Sequence, residues 1–188
     1  MRKPVLALLL CAVGSAALGT PPLPLGMQIA EGAQQQVGVT VVYDPAYVSL
    51  RYPGGDLPLS RGVCADVVVR AFRVAGIDLQ RVVHEDMVHA FKRYPAFWGL
   101  SRPDTNIDHR RVPNLMKFFE RTGKTASGTF LPGDVVAWRL PGGLYHIGVV
   151  SSDVAPSMHP LMIHNIGNGA QKEDVLFAYQ IIGHYRWR

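Results

Sequence analysis

The hydrophobic pattern divides the chain into a continuous apolar start, one helical stretch and a series of short strands. Pro4 to Ala17 is almost unbroken apolar sequence, led by Arg2 and Lys3 and ending in small residues at Ser15, Ala16, Ala17 and Gly19. A charged start, an apolar centre and a small-residue end make a secretory signal peptide, and the stretch is shorter than the roughly 20 residues a bilayer span needs. Residues 1–19 are therefore read as signal, with cleavage after Ala17 or Gly19, and 20–38 as a lead segment before one domain over 39–188. Further along, Val63, Val67, Ala71, Val74 and Ala75 recur at helical spacing and Gly76 follows, which predicts a helix with Cys64 in its first turn.

Strand signals crowd the C-terminal third. Leu131-Pro132-Gly133 reads as a turn before a strand to Leu140, and Pro141-Gly142-Gly143 as a hairpin turn into a returning strand from Tyr145 to Ser151. Leu161 to Ile166 supplies a third strand, closed by Gly167-Asn168-Gly169, and Ala178 to Trp187 a fourth. Between helix and strands lies a long insertion, 77–130, with a short helix begun near Pro113 and stopped by Gly123. The expected fold class is α+β, a helix carrying Cys64 packed on a small antiparallel sheet.

Composition narrows the function. With 188 residues, 48% hydrophobic and 18% charged, the chain is globular rather than collagen-like, coiled-coil or disordered. The net charge of +5 includes Arg2 and Lys3 of the presumed signal, and no Lys/Arg run with interleaved aromatics follows, so no nucleic-acid partner is expected. No second apolar stretch is long enough to span a bilayer, which predicts a protein exported to the periplasm or beyond without an integral span. A monomer is expected.

The two cysteines are Cys11 and Cys64. Leu10 stands where a lipid-attachment motif wants a small residue, which speaks against a lipid anchor at Cys11. Signal removal leaves Cys64 alone in a compartment where paired thiols are oxidised, so it is either a buried small hydrophobe or a reactive group. A helix N-terminus favours the thiolate, and from its position there the Cys64 pKa is expected to be lowered. A thiol nucleophile needs a base and an orienting partner. His146 opens one strand; His164 and Asn165 fall on opposite faces of the next, so either could face His146.

Metal patterns are incomplete. Asp104-x-Asn106-x-Asp108 begins like a calcium loop but has His109 at the sixth position and Leu115 at the twelfth. His84-Glu85-x-x-x-His89 is one residue too long for a zinc helix. No metal and no cofactor is expected. Arg110 and Arg111, in the insertion, could grip a substrate carboxylate or simply hold the insertion to the core.

The order of Cys on a helix, His on a strand and a polar residue on the next strand is that of papain-like cysteine hydrolases. Gly62-Val63-Cys64-Ala65-Asp66-Val67, Pro132-Gly133-Asp134-Val135-Val136, Tyr145-His146-Ile147-Gly148-Val149-Val150 and Met162-Ile163-His164-Asn165 together resemble the NlpC/p60 cell-wall cysteine peptidases. Gly62 to Val67, Pro103 to Leu115 and Gly183-His184-Tyr185-Arg186 resemble more closely the bacterial domain-of-unknown-function family 1287 of that superfamily, over about Val39 to Arg186. The resemblance implies Cys64 as nucleophile, His146 as general base and acid, and His164, or alternatively Asn165, as the residue that orients His146. It implies the Cys64 amide as an oxyanion donor and Tyr52, ahead of Gly54-Gly55, as a neighbour of the cysteine. The chain departs from the pattern in having Val63 where Asp precedes the cysteine, and in its long insertion.

By that resemblance the expected activity is hydrolysis of amide bonds in peptidoglycan stem peptides, with peptidoglycan or peptide as the partner. Two alternatives stand beside it. One is another thiol amidase or a transglutaminase-like acyl transferase, against which the absence of an Asp on the strand after His146 counts. The other is a non-catalytic wall-binding module.

Overall fold

A computed structural model describes residues 21–188, so the stretch read as a signal peptide, residues 1–19, and Cys11 lie outside the described residues. The elements in chain order are α1 (Leu25–Gln34), β1 (Val42–Tyr43), β2 (Arg61–Gly62), α2 (Cys64–Val74), α3 (Leu79–Ala90), α4 (Val112–Arg121), β3 (Val135–Arg139), β4 (Tyr145–Val154), β5 (Pro160–His164), β6 (Gln171–Glu173) and β7 (Gln180–Tyr185). Five strands form one antiparallel sheet in the order β6-β5-β4-β3-β7, and β1 pairs in parallel with β2.

Strand alternation gives the large sheet two apolar faces. Val135, Ala137, Ile147, Val149 and Ile163 face α1 and α2, and with Val67, Val68, Ala71, Phe72 and Leu115 they make the main core. Val136, Trp138, Val150 and Met162 point to the other face, where Leu176 and the loop before β7 cover them. His146 pairs with Trp138 and His164 with Gly148, which sets both histidines on this second face.

α2 begins and ends as its sequence predicts. Asp66 Oδ2 accepts the Val63 N–H at 2.7 Å, closing the first turn, and Gly76 takes φ +77°, which a residue with a side chain adopts only under strain. The hairpin turn uses Gly142 and Gly143 at φ +85° and +87°. α4 runs from one residue before Pro113 to two before Gly123.

The segment read as a lead is instead part of the fold. α1 buries Ile29 and Ala33 in the main core, and Gly32 admits α2 so closely that a Cβ there would come 2.7 Å from Ala71 O. The insertion is likewise structured, because α3 buries Leu79, Val83 and Met87 in the same core.

Candidate active site

Cys64 lies at the first residue of α2, 6% exposed, in the wall of a cleft of about 330 Å³. Tyr43, Trp98, Arg111, Leu144 and Tyr145 line the cleft with it. The backbone N–H groups of Ile147, Ala65 and Cys64 itself favour a thiolate here. Burial outweighs them, and with the charge of Asp66 it pushes the Cys64 thiol up to about 12. The expectation of a lowered pKa is thus corrected: the helix start supplies N–H groups, but the side chain points into protein rather than water.

His146 is next in sequence to Ile147, whose backbone N–H favours the Cys64 thiolate. Its ring stacks on Trp138, with centroids 5.6 Å apart at 24°, and its Nε2 stands 2.9 Å from His164 Nδ1. Burial, seconded by His164, lowers the His146 pKa to about 3, so the resting ring is neutral. No hydrogen bond joins Cys64 to His146 among the described residues.

His164 continues the line outward. Its Nε2 lies 2.9 Å from Glu173 Oε2, out of line for a straight hydrogen bond, so the contact is chiefly Coulombic. Burial lowers the His164 pKa and Glu173 opposes that shift. The nearby carboxylate favours the His164 proton on Nε2, and in that tautomer its Nδ1 accepts from His146 Nε2–H. The free nitrogen of His146, Nδ1, is then unprotonated. Glu173 was not legible in the sequence: β6 is three polar residues, Gln-Lys-Glu, with no alternation to mark a strand. Gly148 makes the pairing possible, because a Cβ there would sit 2.9 Å from Ile163 O, 3.0 Å from His164 Cβ and 3.2 Å from the Trp138 ring.

The remaining sequence candidates separate. Asn165 turns to the opposite face from His164, where its amide donates to Gly62 O at 3.0 Å and so braces the loop before Cys64. Tyr52 is not at the cysteine. It packs edge-on against His84 of α3 at 5.2 Å, and Tyr43, which β1–β2 pairing sets opposite Gly62, lines the cleft in its place. Burial, with Cys64 and Asp66, raises the Tyr43 pKa.

Arg110 is a brace rather than a substrate grip. It makes a two-pronged bond to Asp66, Nε to Oδ1 at 2.9 Å and Nη2 to Oδ2 at 3.0 Å, and donates to the carbonyls of Ala46 and Asp44. Since Asp66 also closes the first turn of α2, Arg110 holds the Cys64 turn through it. Arg111 instead lies 4.2 Å over the Trp98 ring on the cleft wall. Trp98 sits in the 77–130 insertion with no periodicity to single it out. Among the described residues no three His, Cys, Asp or Glu side chains gather to hold a metal ion, and no helix is long and apolar enough to cross a membrane.

A family model described as "Domain of unknown function (DUF1287)" matches residues 30–187, the whole of this site included. The chain belongs to that family. Among curated proteins it is similar to "Uncharacterized protein YijF" of Escherichia coli (strain K12), at 53% identity over 193 residues, covering 95% of this chain and 94% of the relative. Among solved structures it is similar to "Structure of NlpC1 from Trichomonas vaginalis", with TM-score 0.48 and 13% identity, over 86% of this chain and 44% of that one. The chain thus spans less than half of that protein. The family match begins inside α1, in keeping with that helix's place in the core.

Proposed function

We propose that this protein is an exported thiol hydrolase of NlpC/p60-like, papain-like fold, acting in the periplasm or outside the cell on amide bonds of peptidoglycan stem peptides. The observation that carries the reading is the pair of buried histidines at the start of β4, His146 Nε2 2.9 Å from His164 Nδ1, next in sequence to Tyr145, which lines the same cleft as Cys64. The substrate class rests on the motif resemblance.

In this reading the resting site holds a neutral thiol and a neutral imidazole, and ionisation accompanies attack. The Cys64 proton passes to His146 Nδ1 as the sulfur bonds to the substrate carbonyl carbon; His164 and Glu173 steady the imidazolium through Nε2. The backbone N–H groups around the sulfur stabilise the oxyanion. His146 returns the proton to the amide nitrogen as the C–N bond breaks, which leaves a thioester on Cys64. Water, deprotonated by the same imidazole, then releases a carboxylic acid and restores the thiol.

One observation favours a second reading. A thiol buried to 6% with its pKa at about 12 also suits a non-catalytic wall-binding module. Digestion of purified peptidoglycan and defined muropeptides by the mature protein, Cys64→Ala and His146→Ala, read by mass spectrometry, separates the two. The hydrolase yields fragments from the unmutated protein alone, with losses of about 10³-fold or more in the variants. Silence from all three, with undiminished sedimentation on the wall, sinks the hydrolase.

A further inference from the structure

Arg110 and Arg111 are adjacent in sequence and opposite in fate. Arg110 is used up by Asp66 and two carbonyls. Arg111 has no carboxylate within ion-pair distance among the described residues, and its Nη1 is buried with no hydrogen-bond partner. The carboxylates that act on it from farther off, Asp104 and Asp108, have other partners: Asp104 takes Tyr47 Oη–H and the Asn106 side-chain amide, and Asp108 takes the Asp104 N–H.

The stack on Trp98 satisfies one face of the guanidinium, and no hydrogen bond among the described residues takes its N–H groups. Trp98 is in turn packed on Phe97, and Phe97 on Tyr145, so a chain of aromatics fixes the cation on the wall of the cleft that Cys64 shares. A planar cation on the cleft wall with no carboxylate partner matches the two oxygens of a carboxylate.

We propose that Arg111, presented by Trp98, is a carboxylate-binding subsite of the Cys64 cleft, so that the cleft selects acyl substrates bearing a free carboxylate near the scissile amide and rejects their amidated counterparts. The word substrate rests on the thiol-hydrolase reading; the anion subsite itself does not.

The test uses two alkylating probes of similar size and different charge. Iodoacetate carries the carboxylate, iodoacetamide does not, and both react with the same thiolate, so the ratio of their rates at Cys64 cancels the thiolate fraction. Rates are read by mass spectrometry at about pH 9.5 for the folded mature protein, with the urea-unfolded chain as reference. The ratio is expected to be about tenfold higher in the folded protein, to fall to the unfolded value in Arg111→Gln, and to lie between in Arg111→Lys, which keeps the charge without the planar edge.

An Arg111→Gln protein that is folded by circular dichroism and keeps the unmutated ratio overturns the subsite and leaves the hydrolase standing. A folded Cys64 untouched by either reagent, while the unfolded chain reacts, overturns both. A ratio that behaves as expected beside failed peptidoglycan digestion upholds the subsite and removes the hydrolase.

Discussion

Two histidine clusters are buried in this sheet, and they are finished to different degrees. At the β3–β7 end, Asp134 holds His184 Nε2 at 2.7 Å and both Nε and Nη2 of Arg186, and also accepts the Leu131 N–H. Both Asp134 oxygens are taken, and the result ties the chain's last strand to the turn before β3. On β4 and β5, the one polar partner of His146 among the described residues is another imidazole, and the outermost contact is a half-exposed carboxylate. Burial alone therefore does not mark a functional histidine. What sets the second cluster apart is a neutral ring whose polar partner is another imidazole.

The comparison can be broken most strongly from its saturated side. Asp134→Ala leaves Arg186 without its counter-charge and His184 Nε2 without its hydrogen-bond partner, and breaking such a buried pair should cost about 4 kcal/mol of stability. Scanning calorimetry should show the melting temperature falling by roughly 8–16 °C, at about 2–4 °C per kcal/mol for a chain this size.

Acid should test the neutral side next. The folded-state pKa of His146 is depressed to about 3 and that of His109 to about 4, chiefly by burial, whereas in the unfolded chain each titrates near 6.5. Between those values the unfolded state binds more protons, so stability rises with pH there. The contribution is complete above about pH 6.5 and is lost progressively as the pH falls toward 3. For His146 alone the loss by pH 4 is about 3 kcal/mol. Urea unfolding from pH 8 to 4 should show the slope, and His146→Asn should flatten its share; an unchanged slope would mean the ring is not buried neutral.

The smallest effect should come from Glu173→Gln. Half-exposed, Glu173 adds little to stability, but it orders the protons of the two imidazoles. Activity should fall about fivefold in kcat with KM unchanged, and the acid limb of the pH–rate profile should shift. A change in KM alone would make Glu173 a substrate contact rather than a positioning residue.

Much of the scaffold could be read from local pattern. The α2 helix with its glycine stop, the Gly142-Gly143 hairpin and the alternation of β4 each depend on residues a few positions apart, where propensity and turn chemistry act directly. The same alternation placed His164 and Asn165 on opposite faces before their partners were known. Long-range partners were hidden. Glu173 reaches His164 from a strand too short and polar to announce itself, and Tyr43 reaches the cleft through a two-residue parallel pairing. Tyr52 had the more suggestive neighbours in sequence and was carried away to α3. The lead segment carried no assigned helix, yet α1 fills the core because its buried face matches α2 across 30 residues of chain.

By itself the sequence determined that Cys64 starts a helix, that His146 and His164 stand on neighbouring strands, and that charges of both signs crowd the insertion. Tertiary structure alone decided the states of those groups. Desolvation reversed the sign of the shift expected at Cys64, because a helix terminus favours an anion only while burial costs less than the N–H groups return. It also decided between two adjacent arginines: Arg110 meets Asp66 across 44 positions of chain, while Arg111, one peptide bond away, faces an aromatic ring and an open cleft.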